Sequence, residues 1–225
     1  MENFYLDIFD LFLLSFFFGA IPSGYILVKS IFGKDVRRYG SNNIGSTNVG
    51  RTFGSKYGYI TLFLDMLKGY VGVSISYSLL LSRSLLPNEM NLGIALLPLC
   101  AVLGHAFSPF MKFKGGKGVA TTFGSFIFFN FEYMLICLSA YLLTIKKTKF
   151  VSLGSIISTC LLPITSYLYL EDNLKIIHQS GAYFVNGDKS ISYISAQTLP
   201  IIILVVFLHK ENLKRLKKGT ESRIK

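Results

Sequence analysis

The sequence predicts an all-α protein, a polytopic membrane bundle of about seven transmembrane helices, two of them short. Of the 225 residues, 51% are hydrophobic and only 16% are charged, whereas a soluble domain carries roughly a quarter charged residues. The mean hydropathy is +0.49, and the lysines and arginines are gathered between long apolar runs. The sequence contains no repeat, heptad or soluble domain, so residues 1–225 are expected to form a single membrane domain.

Six nearly unbroken apolar runs supply the predicted helices, since a helix needs about 20 apolar residues to cross the hydrocarbon. No lysine or arginine precedes Lys29, so the first run lacks the basic region of a signal peptide and is expected to be retained as a span. The runs cover residues 11–28, 59–81, 92–110, 119–145, 150–170 and 194–208.

The distribution of basic residues predicts the topology, because cytoplasmic loops carry an excess of lysine and arginine. Most of the 23 lysines and arginines lie in segments 29–56, 111–118, 146–149 and 210–225. We therefore expect all four segments in the cytoplasm, the N-terminus outside and the C-terminus inside. The mixed-charge loop 171–193 is expected outside.

This assignment requires the run 119–145 to leave the cytoplasmic side and return to it. Asn130 and Glu132 offer a polar tip for the turn, which predicts two short helices over 119–129 and 133–145. A bundle of five spans, with 119–145 as a re-entrant hairpin, predicts the same loop sides and is an alternative to seven spans.

Three polar segments on the predicted cytoplasmic face carry the candidate chemistry. The first, Gly40–Arg51, is dense in hydroxyl and amide side chains and ends on an arginine. Such a loop can offer hydrogen-bond donors and a bidentate guanidinium to a phosphate. Clusters of Gly, Ser and Asn are also the commonest loop composition, so an ordinary polar linker is the alternative.

The second segment, Phe113–Thr121, is a turn rich in lysine and glycine. Glycines let backbone N–H groups converge on an anion, and irregular backbone at a membrane must lie at the interface or line a cavity. A phosphate-binding loop and a tight turn with cytoplasmic lysines are both compatible with it. A nucleotide-binding Walker A loop is not, because Gly118 follows Lys117 where Ser or Thr is required.

The third segment begins at His209, beyond the last apolar run, where His209 and Asn212 share one face of a continuing helix. The alternative is a basic amphipathic helix that rests on lipid headgroups. Within the second run, Asp65 and Lys68 are expected to pair and face the protein interior, because intramembrane charges are costly. His105 ends the third run and is expected to be a hydrogen-bonded structural residue.

Taken together, these segments resemble the bacterial acyl-phosphate-dependent glycerol-3-phosphate acyltransferases, the PlsY-type family. The matching stretches are 40–51, 104–121 and 209–221, with 64–69 in the second run, and they agree in order, spacing and sidedness. The resemblance implies a seven-helix enzyme of the bacterial inner membrane with its active site facing the cytoplasm. It would transfer a fatty acyl group from acyl phosphate to glycerol-3-phosphate and yield 1-acyl-glycerol-3-phosphate, or lysophosphatidate.

The resemblance also implies roles for single residues. The expected catalytic residues are Ser41, Arg51, Lys117, His209 and Asn212. The expected contacts to substrate phosphate are Asn43, Thr47, Asn48, Lys114, Gly115, Gly116 and Gly118. The expected structural supports are Asp65, Lys68 and His105. Glu211 or Glu221 is expected to be structural, without a choice between them.

Small departures from the family pattern, such as Ser46 where alanine is usual, remove no candidate polar residue. A histidine with an aspartate five positions later is absent, and so is a Gly-x-Ser-x-Gly motif. Acyl transfer would therefore rely on positioning, electrostatics and the substrate's own phosphate as base. Ser41 is expected to orient a substrate, with a covalent acyl-serine as the alternative.

The expected partners are the two substrates and membrane lipid, in a monomer without cofactor or metal. The three cysteines lie at unrelated spacings in apolar runs and the three histidines are isolated. Anionic headgroups account for the net charge of +11, and no nucleic-acid motif is present. The rival classes are a small-organophosphate transporter and a lipid-binding scaffold. Transporter sites commonly lie near the midplane, whereas these motifs cluster at one face.

Overall fold

The computed structural model of the protein describes residues 2–85, 87–129, 131–168 and 187–224. The described residues are helical or irregular, with no strand among them, which confirms the all-α prediction. The α-helices are α1 (Glu2–Ala20), α2 (Ser23–Phe32), α3 (Ser46–Phe53), α4 (Ser55–Leu81), α5 (Pro87–Ala106), α6 (Val119–Phe129), α7 (Phe131–Thr148), α8 (Val151–Cys160), α9 (Gly187–Leu208) and α10 (Lys210–Lys217). Short 3₁₀ turns cover Val36–Arg38 and Pro109–Met111.

The apolar helices match the predicted runs. Three stretches of the described residues are long and apolar enough to cross a membrane: Ile8–Phe32, Met90–Met111 and Val151–Leu168. Two shorter apolar helices cover Val119–Phe129 and Gln197–Leu208. The 27-residue helix α4 covers the remaining run. The protein is thus built as an integral membrane protein, while the number of spans and the sides of the termini stay predictions.

The first apolar run, predicted as one helix, is divided at Ile21–Pro22 into α1 and α2. Proline has no amide hydrogen and cannot continue the hydrogen-bond ladder of α1. The N–H of Ile26 instead donates to the Pro22 carbonyl at 2.9 Å, so α2 starts directly after the break.

The run 119–145 forms two helices, α6 and α7, as the polar tip predicted. Helix α6 ends at Phe129 and α7 begins at Phe131, and the predicted tip residue Asn130 is outside the described residues. Helix α7 continues to Thr148 and includes Lys146 and Lys147 in its last turn, where cations complement the helix dipole. The loop predicted over 171–193 lies outside the described residues up to 186, and from Gly187 onward the chain is helical.

Small residues allow the helices around the site to approach backbone to backbone, as is common between membrane helices. A methyl group at Gly104 of α5 would lie 1.9 Å from the Phe16 carbonyl oxygen of α1. Where α6 contacts α4, a methyl group at Gly124 of α6 would lie 1.8 Å from the Met66 carbonyl oxygen of α4. These two tight contacts join α5 to α1 and α6 to α4.

A buried apolar cluster joins α9 to the centre of the bundle. Its members come from α5, α6, α7, α9 and the helical turn after α8, and they are Val102, Phe126, Met134, Cys137, Leu162, Ile201 and Val205. Since Ile201 and Val205 fix the depth of α9, they also fix His209, which lies one turn beyond Val205.

Candidate active site

A cavity of about 720 Å³ lies where the three polar segments meet helices α4 and α6 to α8. Its polar part is lined by Ser41, Asn43, Thr47, Asn48, Arg51, Lys117, His209, Asn212, Arg215 and Glu221. Its apolar part is lined by Leu62, Met66, Phe123, Ile127, Phe131, Met134, Leu135 and Leu138. One space thus joins a basic polar end to an apolar end among the helices.

The buried side chain of Asn48 organises the first polar segment. Its Nδ2 donates to the carbonyls of Tyr39 at 3.1 Å and Asn43 at 2.7 Å, and its Oδ1 accepts from the Ser41 N–H at 2.8 Å. Both ends of the amide are occupied by these partners, and its contact to phosphate stays a prediction. Asn48 also places Ser41 at the cavity.

The first turn of α3 forms part of the wall. Asn43 Oδ1 accepts from the Gly45 N–H at 2.9 Å, and the helix then begins with Ser46 and Thr47 at the cavity. A helix N-terminus presents unpaired backbone N–H groups and the positive end of the helix dipole, a favourable place for an anion. Arg51 follows in the last turn of α3, and its Nη2 donates to the Ser222 carbonyl at 3.0 Å.

The backbone N–H groups of Gly115 and Gly116 in the lysine-glycine turn bond to other backbone carbonyls and do not point into the cavity as expected. The N–H of Gly115 donates to the Ala106 carbonyl at 3.0 Å, and that of Gly116 donates to the His105 carbonyl at 3.1 Å. These amides are already bonded and neither glycine lines the cavity, so their role in phosphate binding stays a prediction that these contacts do not support. The exposed Lys114 also lies outside the cavity lining.

From the same turn, Lys117 and Gly118 do line the cavity, followed by Val119 and Ala120 at the start of α6. The Lys117 amine donates to Asn212 Oδ1. Burial, opposed by Glu221 and assisted by nearby Arg215 and Arg51, lowers the pKa of Lys117 to about 8. The turn therefore presents one desolvated cation beside a second helix N-terminus.

The tail segment is interrupted at His209, and a new helix, α10, begins at Lys210. His209 and Asn212 nevertheless both line the cavity, as their spacing predicted. His209 Nδ1 lies 2.8 Å from the Val205 carbonyl. A carbonyl can only accept, so Nδ1 carries the hydrogen and Nε2 has a free lone pair. Burial, with a contribution from Lys117, lowers the pKa of His209 to about 4, so the ring is neutral near pH 7.

Glu221, which the resemblance left open as a structural residue beside Glu211, is a central residue of the site. Its buried carboxylate accepts from Ser152 Oγ at 2.8 Å, Asn212 Nδ2 at 2.7 Å and Arg215 Nε at 2.7 Å. Burial alone would raise its pKa, but these hydrogen bonds outweigh burial and hold the pKa of Glu221 below its usual value. Glu211, by contrast, is exposed and pairs only with Lys214 at 3.0 Å. Of the two glutamates left open, Glu221 is the one within the site.

The predicted ion pair inside the membrane is present. Lys68 Nζ lies 2.9 Å from Asp65 Oδ1, and His105 Nδ1 lies 3.7 Å from the same oxygen. Asp65 and His105 line the cavity, whereas Lys68 points away from its lining toward the Ile21 carbonyl at 2.6 Å.

The structure thus brings all five predicted catalytic residues to one cavity. Four others, Asn43, Thr47, Asn48 and Gly118, also line it, whereas Lys114, Gly115 and Gly116 do not. Within the described ranges, no group of three or more His, Cys, Asp or Glu residues could hold a metal ion.

Comparison with known proteins identifies the family. The family described as Glycerol-3-phosphate acyltransferase matches residues 9–219 of the chain. The chain belongs to this family. It is therefore an acyltransferase of glycerol-3-phosphate, which agrees with the resemblance of the three polar segments.

Relatives in this family match over nearly their whole length. The glycerol-3-phosphate acyltransferase of Fusobacterium nucleatum is 38% identical over 94% of this chain and 95% of its own. That of Leptospira borgpetersenii is 38% identical over 92% of this chain and 87% of its own.

Solved structures agree with this family assignment. PlsY (YgiH), an integral membrane glycerol 3-phosphate acyltransferase, is 30% identical in its glycerol 3-phosphate form. It covers 97% of this chain and 96% of its own, with a TM-score of 0.74. Its lysophosphatidic acid form gives a TM-score of 0.72 at 28% identity.

Proposed function

We propose that the protein transfers a fatty acyl group from acyl phosphate to glycerol-3-phosphate and releases lysophosphatidate and inorganic phosphate. The observation that carries this proposal is the shape of the cavity, which joins a basic end to an apolar end among the helices. A substrate with a phosphate head and an acyl tail fits such a space. The existence of PlsY structures in glycerol 3-phosphate and lysophosphatidic acid forms supports the same acceptor and product.

The basic end can hold the substrate phosphates. Arg51, Lys117 and Arg215 all line it, and guanidinium groups bind phosphate in a bidentate manner. The first turns of α3 and α6 border the same space, so two helix N-termini add partial positive charge. Two separate anion-binding helix ends suit a reaction in which both substrates carry a phosphate.

The apolar end can hold the acyl chain. Leu135 and Leu138 of α7 line the cavity, yet they are 44% and 38% exposed on the surface of the bundle. A side chain that faces both the cavity and the exterior marks an opening between the helices. In a membrane this opening leads into lipid, so an acyl tail can enter sideways.

The chemical step is a direct transfer. The 1-hydroxyl oxygen of glycerol-3-phosphate attacks the acyl carbonyl carbon and forms the ester bond, while the bond from that carbon to the phosphate oxygen breaks. The departing phosphate accepts the hydroxyl proton. Among the described lining residues the carboxylates Asp65 and Glu221 are both already paired, and the lowered pKa of His209, about 4, makes its ring a weak base, which favours the substrate phosphate as base.

The polar side chains would then orient the acceptor. His209 offers an unprotonated Nε2 as acceptor for the attacking hydroxyl, and Ser41 orients a substrate by hydrogen bonding. Lys117 and Arg51 stabilise negative charge that develops on the departing phosphate, the type of preorganised electrostatics that contributes most to acyl transfer.

We further propose a bacterial inner-membrane location, a cytoplasmic active site and a monomer of one domain. Positive charge supports this orientation, since Arg51, Lys117 and Arg215 all lie at the same end of the cavity. Reactivity of single cysteines toward a membrane-impermeant reagent would test the sides of the termini.

The deciding experiment incubates the purified protein with acyl phosphate and glycerol-3-phosphate and measures lysophosphatidate. An acyl thioester in place of acyl phosphate tests the donor. We expect product only with acyl phosphate, and no acylated Ser41 after rapid quenching. Product from the thioester alone would contradict the donor. Trapped acyl-Ser41 would contradict direct transfer, and uptake of a phosphate ester into liposomes without product would favour a transporter.

A further inference from the structure

Asp65, Lys68 and His105 form a buried polar cluster that the mechanism above does not use. They are only 3%, 6% and 4% exposed, in a region where charged groups are costly unless they are paired. Lys68 neutralises Asp65 at 2.9 Å and also donates to the Ile21 carbonyl at the break between α1 and α2. The cluster is therefore tied to the rigid part of the bundle.

His105 lies between this cluster and the lysine-glycine turn. On one edge of its ring, Nδ1 lies 3.7 Å from Asp65 Oδ1. On another edge, Nε2 covers Gly116 so closely that a methyl group there would lie 2.0 Å from it. The backbone of His105 joins the same contact, because its carbonyl accepts from the Gly116 N–H at 3.1 Å.

A histidine beside an aspartate could be taken for a general base, but the geometry points elsewhere. A general base needs a ring nitrogen within hydrogen-bond reach of the substrate proton. Here Nδ1 faces Asp65, and Nε2 faces the backbone of Gly116. The ring acts instead as a spacer of fixed thickness between Asp65 and the turn. The residue that follows Gly116 is Lys117, whose amine enters the cavity and reaches Asn212.

We propose that His105, packed beside Asp65, is a positioning residue that sets the place of Lys117 through Gly116 and thereby the affinity for glycerol-3-phosphate. This inference rests on the proposed function. It explains why residue 116 has no side chain: the imidazole occupies that space. A displacement of about 1 Å in a substrate-positioning group can reduce activity by about 100-fold, so a spacer of this kind has a measurable effect.

The test is a double-mutant cycle between residues 105 and 116 in the full-length enzyme. The variants are Gly116→Ala, His105→Asn and the double variant. Asparagine keeps a polar side chain beside Asp65 but is too short to cover Gly116. We expect each single variant to raise the KM for glycerol-3-phosphate by about tenfold while kcat and the KM for acyl phosphate change by less than about threefold. The double variant should be no worse than His105→Asn alone, because the methyl group then has room.

Multiplicative effects in the double variant would overturn the inference, since Gly116 would then be required by the phosphate itself. An unchanged KM in His105→Asn would overturn it as well. If His105→Asn is recovered unfolded, the same cycle in a His105→Ala background gives the same two outcomes. A folded wild-type protein that forms no lysophosphatidate would instead overturn the proposed function, and this inference with it.

Discussion

Two walls of the cavity are held in place by different chemistry. The first loop, residues 40–51, is organised by the neutral amide of Asn48, which bonds to backbone groups. The tail, residues 209–222, is organised by the carboxylate of Glu221, which bonds to side chains from α8 and α10. A hydrogen bond to a charged group contributes about 1.5–3 kcal/mol, against about 0.5–1.5 kcal/mol for a neutral one.

The two walls therefore have different roles: the loop sets the position of a side chain, and the tail also sets the charge in the cavity. Asn48 determines where Ser41 lies but adds no charge to the cavity. Glu221 holds Asn212 and Arg215 and also raises the pKa of Lys117 against burial and two neighbouring arginines. Changes in the loop should therefore alter rate and stability, whereas changes in the tail should also alter the dependence on pH.

The largest effect is expected for Glu221→Gln. A neutral amide cannot accept from three donors with the strength of a carboxylate, and Arg215 would lose its charged partner. Losing about two charge-assisted bonds corresponds to a decrease in kcat/KM of about 100-fold. The matched control is Glu211→Gln, an exposed glutamate of the same segment, which should retain full activity. Steady-state kinetics on both variants decides this, and equal losses would contradict a special role for Glu221.

The next prediction is a loss of affinity at alkaline pH. A lysine is charged below its pKa and neutral above it, and the pKa of Lys117 is lowered to about 8. The phosphate-binding charge is thus present near pH 7 and is lost as the pH rises, with kcat/KM for glycerol-3-phosphate about tenfold lower at pH 9. His209, with a pKa near 4, should cause no loss down to about pH 5.

Variants in the loop and in the tail should change this pH dependence in different ways. Because Glu221 raises the pKa of Lys117, Glu221→Gln should move the alkaline decrease in kcat/KM to lower pH. Asn48→Ala should leave the pH of this decrease unchanged. A shift of the decrease in Asn48→Ala, or no shift in Glu221→Gln, would contradict the view that the loop sets geometry and the tail sets electrostatics.

A smaller effect is expected for Asn48→Ala. The variant leaves two carbonyls and the Ser41 N–H without their partner, and one unsatisfied buried group costs roughly 1–3 kcal/mol of stability. Because water can reach part of the loop, we expect about a fivefold decrease in kcat and a lower melting temperature. Thr52→Val is the control, since Thr52 Oγ1 contacts Asn48 Oδ1 only at 3.5 Å. A thermal shift assay and initial rates measure both effects, and a wild-type rate would show that Ser41 needs no such support.

The positions of the helices could be predicted from the sequence because apolar runs mark the segments that are buried in the membrane, and basic segments mark the loops between them. It also indicated the division of the run 119–145 into two helices from a polar tip and the pairing of Asp65 with Lys68 from their spacing. Division of the first run at Pro22 was missed, since proline is common in membrane helices and its effect depends on neighbouring helices.

For the site, the clustering of polar segments on one face indicated its location, and the family resemblance of those segments supplied Ser41, Arg51, Lys117, His209 and Asn212, which all line the cavity. Neither could show which polar groups are already bonded. The amides of Gly115 and Gly116 and the side chain of Asn48 were assigned to phosphate, because intramolecular hydrogen bonds are invisible in a sequence. Ser152 lies within an apolar run and gave no signal of its contact with Glu221.

The smallest effect is expected for Lys114→Met. Lys114 and Lys117 belong to the same turn and carry the same charge, yet Lys114 is exposed and outside the cavity lining while Lys117 lines it. Exposed charges are screened by salt over about 8–10 Å, so Lys114→Met should change the KM for glycerol-3-phosphate by less than about twofold. Lys117→Met, the matched variant, should raise it by at least about tenfold. Equal KM changes would mean that the turn binds phosphate by charge density, and that the contact between Lys117 and Asn212 does not select the binding cation.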